Sequence, residues 1–223
     1  MLDWATTSSL ATAAGTLVLA VATFASVRSG NRTARLAERS LLAGLRPVLV
    51  PTRVQDAAEK IGFVDGHWIR AEGGRGVAEV TDTVIYLGIA VRNVGSGMGV
   101  LHGWLVRIDV IRQRGATMAP GERLGDIQHE KPENFRRLTR DIYIPPGDQG
   151  MWQGALRDPS EPIFATIREA INAREPIAIE LLYGDAEGGQ RTISRFSLLP
   201  KEGGEEWIAS VSRHWNLDRP DPR

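Results

Sequence analysis

The chain reads as mainly β: an antiparallel, immunoglobulin-like β-sandwich with one inserted helix, preceded by a transmembrane helix and an amphipathic juxtamembrane helix. Three observations predict this. An uncharged apolar stretch begins the chain, an arginine-rich stretch of helical period follows it, and from Pro47 onward the apolar residues alternate. The divisions that result are a transmembrane helix over 4–27, a basic juxtamembrane helix over 28–45, the β-sandwich over 46–216 and a C-terminal tail over 217–223, in which "LDRPDPR" carries no structural restraint.

Between Asp3 and Arg28 lie 24 residues without a charge, and about 20 apolar residues suffice to cross a hydrocarbon core. The stretch is rich in Ser and Thr, among them Thr12, Thr16 and Thr23. In a helix these hydroxyls bond back to the carbonyl of the preceding turn and so cost little in lipid. A secretory signal needs a basic start, whereas "MLDW" carries Asp3 and no Lys or Arg, so the span is expected to be an uncleaved anchor. It is hydrophobic all round, unlike a helix lying on a soluble core. Arg28, Arg32, Arg35 and Arg39 crowd its C-terminal side. By the positive-inside rule they place the large domain in the cytoplasm, giving a single-pass protein of the cytoplasmic membrane. Small residues recur every fourth position (Ala5, Ser9, Ala13; Ala11, Gly15; Ala22, Ser26). They either support homo-oligomerisation through this helix or reflect only how common Ala and Gly are here.

Residues 29–45 have helical period and stop before Pro47. Arg28, Arg32, Arg35, Arg39 and Arg46 fall within about 40° of one line on a helical wheel, with Ala34, Ala37, Leu41 and Leu45 opposite. The arginines are suited to anionic headgroups at the membrane surface. If "SGN" (29–31) breaks the chain, this helix lies along the lipid. If the helix runs straight on, it is a stalk whose Ala/Leu face, Leu41 above all, docks on its own domain or on a neighbouring copy. The narrow apolar face favours docking.

In the β region, "RPVLVPTRV" is an extended edge because of its two prolines. "IGFVDGHWIR" has Asp65-Gly66 at the tip of a hairpin. "TDTVIYLGIAVRN" puts Ile85, Leu87, Ile89 and Val91 on one face, and "VLHGWLVRIDVIR" does so with Val100, Trp104, Val106, Ile108 and Val110. Further strands follow in "RLTRDIYIPPG", "GMWQGAL", "PIAIELLYGD", "QRTISRFSLL" and "EWIASVSRHW", making eight or nine in all. Among them "DPSEPIFATIREAINARE" reads as a helix with Ser160 as cap, Pro162 in the first turn, and Ile163, Ile167 and Ile171 on one face.

"AERSLLAGLRPVLV" after an N-terminal span, "VRNVGSGMG" between two strands, "ELLYGDAEGGQRTISRF" and "WIASVSRHWNLD" together resemble a class of functionally uncharacterised bacterial proteins with one membrane helix and a sandwich domain. The resemblance covers nearly the whole chain. It implies the architecture and supplies no catalytic residues.

The remaining chemistry is thin. Lys+Arg and Asp+Glu are equal at 27 each, so no overall positive field marks the chain for nucleic acid. With no cysteine, disulfides, thiolate metal sites and a cysteine nucleophile are excluded. "NVGSGMG" (93–99) leads into a strand and has no Lys, so it is a turn rather than a phosphate loop. His67, His102, His129 and His214 show no metal-ligand spacing, and "GDAEGG" (184–189) is a hairpin turn with too few oxygens for calcium. No catalytic triad or carboxylate pair is visible, and no cofactor is expected. Arg213, His214 and Trp215 are the most concentrated recognition-type residues, either an interaction site or a strand end pinned by a salt bridge. The expectation is a non-enzymatic, membrane-tethered interaction or scaffold module, with the lipid bilayer and an unidentified protein as partners. The alternative is a membrane-bound small-ligand sensor or enzyme with a pocket between sheet and helix.

Overall fold

The computed structural model describes residues 4–107 and 128–220. It divides into two units, a helix up to Gly44 and a β domain from Leu45 onward. Ile108 and Val110, expected to extend a strand face, lie outside the described residues.

Helix α1 runs unbroken from Trp4 to Gly44. It passes through "SGN", so the two helices expected at 4–27 and 28–45 are one, and the straight run is the form adopted. The hydroxyls behave as expected in its apolar part. Thr12, Thr16 and Thr23 each donate to the carbonyl four residues back, at 2.8–2.9 Å, and Thr33 does the same to Ser29 at 3.1 Å. Over Ser8–Leu42 this helix is long and apolar enough to cross a membrane. Arg46 lies beyond its end, so the arginine line on α1 consists of Arg28, Arg32, Arg35 and Arg39.

The β domain is built from β1 (Leu49–Pro51), β2 (Glu59–Gly62), β3 (Trp68–Ala71), β4 (Arg75–Val80), β5 (Ile85–Asn93), β6 (Gly99–Val106), β7 (Arg136–Arg137), β8 (Tyr143–Ile144), β9 (Gln149–Leu156), β10 (Ile177–Gly184), β11 (Arg191–Pro200) and β12 (Trp207–Asn216), with helix α2 (Pro162–Asn172) between β9 and β10. All pairs are antiparallel. Strands β1 and β4 share one side of β5 and β9 takes the other; from β4 the sheet continues through β12, β11, β10 and β6 to β7 and β8. This single ten-stranded sheet curls into a half-barrel, so that β8 comes to touch β9. The expected antiparallel, mainly β domain is therefore present. The immunoglobulin-like division into two facing sheets is not recovered, because hydrogen bonding carries the strands round in one sheet.

Inside the curl, Leu87, Ile89, Trp152, Leu181 and Phe196 pack with Phe164, Ile167 and Ile171 of α2. Ser160 does not cap this helix. Glu161 occupies that position, and Ser160 instead donates to Asp158 at 2.6 Å. Strand β5 is covered on both faces, since the β2–β3 hairpin lays Ile61, Phe63 and Ile69 over Tyr86 and Ala90. A third cluster, Phe135, Leu182, Ile193 and Trp215, lies outside the curl.

Two bulges reset the alternation. At His102, β6 carries one extra residue against β10, so Leu101 joins Trp104 and Val106 in the main core, where simple alternation assigns Val100. At Ser212, β12 does the same against β11. Trp207, Ala209 and Val211 before it belong to the main core, while Trp215 after it belongs to the outer cluster.

Candidate functional site

Each residue singled out from the sequence has a definite place. Arg28, Arg32, Arg35 and Arg39 are exposed on α1, and Leu41 on the same helix is 67% exposed. Arg213 and Trp215 face outward and His214 inward, so the three do not form one surface. Trp215 is buried, with the Arg195 guanidinium 4.7 Å and the Arg213 guanidinium 5.3 Å from its ring centre. The strand end is indeed pinned by an ion pair, but one made by Arg191 and Asp218 at 2.9 Å. The Leu217 N–H also donates to the Arg191 carbonyl, which restrains the start of the tail.

"NVGSGMG" closes on the chain where it enters the β domain. Asn93 is fully buried and satisfies all its polar atoms: its amide donates to the carbonyls of Gly97 (2.7 Å) and Ile144 (3.0 Å), and its oxygen accepts from the N–H groups of Val48 (3.2 Å) and Gly95 (3.0 Å). Ser96 and Gly97 donate to the Arg46 carbonyl, and Val94 donates to that of Val48. A β-carbon on Gly95 or Gly97 would collide with the backbone of Arg46 or Leu45, so these glycines permit close approach of two backbones. The loop is a clasp.

His214 belongs to a hydrogen-bonded chain beside that clasp. The Leu49 N–H donates to the Tyr183 hydroxyl (3.2 Å), which bonds the Ser194 hydroxyl (2.9 Å), which bonds His214 Nδ1 (2.5 Å). Burial, then the charge of Arg46, lowers the His214 pKa and favours the neutral ring that can accept from Ser194.

A charged network missed by the sequence reading sits under the outer cluster. Glu180 is fully buried and accepts from Arg107 at 2.8 Å and from Arg195 Nε at 3.0 Å, while its second oxygen accepts the Glu130 N–H at 3.0 Å. Both arginines also donate to the Gln128 carbonyl. The network therefore ties the backbone at Gln128 and Glu130 to the sheet. Its signal in the sequence is one charge within or directly after each of three apolar runs, "WLVR", "IAIELL" and "TISRFSLL".

The hollow with the most distinctive chemistry lies where the half-barrel stays open. At one end the edges of the sheet meet, with Ile144 of β8 against Gly150 of β9. Further along they part into a cleft of about 310 Å³. Trp104 and Leu138 line it on one side, Gln153 and Ala155 of β9 on the other, with Phe63 and Val64 from the β2–β3 turn beside them. Four arginines surround it: Arg136, Arg137, Arg140 and Arg157. Arg136 lies 5.6 Å from the Trp104 ring centre and pairs with Glu161. Arg157 pairs with Asp65 at 3.1 Å. Burial opposes ionisation of Asp65, but hydrogen bonds from Tyr86, the His67 N–H and Arg157 outweigh it and lower its pKa. Arg137 and Arg140 are exposed and have no acidic partner among the described residues. Gln153 reaches across the cleft to Asp141 through its amide nitrogen at 3.1 Å, and its amide oxygen is buried without a hydrogen-bond partner. Among the described residues β9 pairs with β5 alone, and no backbone hydrogen bond leaves it on the cleft side.

A second hollow, where the end of α2 meets β4, is balanced in charge. Arg75 pairs with Glu206, and Arg174 donates to the carbonyls of Gly204, Glu205 and Glu206 while stacking on Trp207 at 4.6 Å. None of the four histidines lines the arginine cleft. Among the described residues no three His, Asp or Glu side chains gather where they could hold a metal ion. What the cleft offers is planar cationic groups, an aromatic wall and an unpaired strand edge, an arrangement suited to binding carboxylates. The comparisons are silent on kinship: no family model matches this chain, and no curated protein or solved structure matches it.

Proposed function

We propose that the chain is a single-pass protein of the cytoplasmic membrane whose β domain serves as an interaction module on the cytoplasmic side. The observation that carries this reading is α1: one helix with Leu17, Val18, Leu19, Val21 and Phe24 exposed along its apolar part, followed by Arg28, Arg32, Arg35 and Arg39. Exposed apolar side chains at this density need lipid or protein around them, and the arginines favour retention on the cytoplasmic side. The bilayer is one partner, a protein bound by the β domain is another, and the small-residue rows of α1 suit pairing with a second copy.

The test is protease treatment of spheroplasts expressing the full chain. The β domain should survive external protease, remain with the membrane in carbonate, and become digestible on lysis. Replacing Arg28, Arg32 and Arg35 with Glu should expose a fraction of the domain to external protease. Prompt digestion of the unaltered chain from outside would reverse the orientation, and release by carbonate would remove the span.

A further inference from the structure

We infer that the arginine cleft takes an extended acidic segment of a partner protein, which adds as a strand to the open edge of β9. Two independent features converge on that occupant. The first is the edge. On the cleft side the backbone donors and acceptors of Gln153–Leu156 have no backbone partner among the described residues, and a strand edge left open beside an apolar wall is a template for another extended chain. The second is charge. Two of the four surrounding guanidinium groups are engaged by Glu161 and Asp65, while Arg137 and Arg140 are exposed without an acid among the described residues. Carboxylates spaced along an extended segment would meet them in the forked geometry that arginine favours.

The wedge shape explains why the occupant should be a strand. The edges touch at Ile144 and Gly150 and separate toward Arg157, so a short segment entering from the wide end meets β9 before the two edges converge. Alternate side chains of such a segment would point toward Trp104 and Leu138, and the intervening ones toward the arginines. A free phosphate would use the guanidinium groups but leave the edge and the apolar wall empty. Arginines that only guard the edge against self-association would bind neither.

The proposal rests on the β domain being an interaction module. The experiment uses the full chain in nanodiscs of phosphatidylcholine, with fluorescence anisotropy as readout. The probe is a labelled peptide alternating Glu and Val, matched to the eight residues of β9. It should bind saturably and weaken as salt screens the charges. Methylating alternate backbone nitrogens of the peptide should cost about tenfold or more in affinity, as should the pair Arg137→Glu and Arg140→Glu in the protein. Both arginines are exposed, so melting of the doubly substituted chain should match that of the parent. No binding of the Glu/Val peptide, equal binding of its methylated form, or equal binding to the double variant would each overturn the proposal. Inorganic phosphate is the separate arm. Saturable phosphate binding at the arginines with no peptide binding would overturn the interaction-module reading along with the occupant, whereas failure of both probes overturns the occupant alone.

Discussion

His214 shows how one side chain couples the interior of the β domain to pH. Its ring accepts from Ser194 and lies near Arg46, and burial followed by that charge sets its pKa below the ordinary histidine value. The His102 pKa is lowered in the same direction, by burial first and Arg191 second, with Asp185 opposing. A histidine whose folded pKa is depressed adds its full stability above the unfolded value of about 6.5, and that stability is lost as the pH falls from there toward the folded value. Asp65, Asp158 and Asp218, with lowered pKa values of their own, lose their contributions only in the carboxylate range near about pH 4 and below. Thermal melts taken from about pH 7 to about pH 5 should therefore show a falling midpoint. His214→Gln, which keeps an acceptor for Ser194 and cannot take a proton, should flatten that fall. An unchanged slope would assign the loss to other groups. Glu180 lies in the interior between the guanidinium groups of Arg107 and Arg195, and removing one member of such a buried group costs about 3–5 kcal/mol.

Among the elements, α1 leaves a row of small and apolar residues uncovered. Its Ala34, Ala37 and Leu41 row lies away from the arginine line, and Leu41 is exposed. Packing of this row on a second copy is expected, so Leu41→Asp should lower the mass of the detergent-solubilised protein measured by light scattering after size exclusion. Unchanged mass together with lost liposome binding would make the row a lipid-facing one. Much of the element pattern was legible in the sequence. The alternation of Ile85, Leu87, Ile89 and Val91 reports the inner face of β5, and Asp65-Gly66 marks a turn in which Gly66 has φ of +82°. The parts that could not be read are those set by partners far along the chain. Nothing local to His102 or Ser212 announces an extra residue against β10 or β11, because a bulge is defined by the neighbouring strand. The same holds for the curl and for the cleft, whose walls come from around Phe63, Trp104, Arg136 and Gln153 and meet only when the sheet is formed. The arginine-rich "FRRLTRD" was visible as composition, but the open edge facing it was not.

As a whole, the protein joins two units with different sources of stability. The hydrogen bonds of α1 are internal to the helix and gain from a lipid surrounding, whereas the β domain depends on its own long-range packing. Heating the full chain in nanodiscs should accordingly abolish the near-ultraviolet signal of Trp104, Trp152, Trp207 and Trp215 in one cooperative step while much of the helical far-ultraviolet signal remains. A single transition that removes both together would show the two units to be one folding unit. The clasp of residues 93–97 fixes the backbone where the chain enters the β domain. The Arg46 carbonyl receives two N–H groups, Pro47 has its own φ locked by its ring, and Val48 is bonded through both its N–H and its carbonyl. None of these three residues can swivel without breaking the clasp. Opening the clasp would therefore release β1 and the end of β5 together, since one loop holds both.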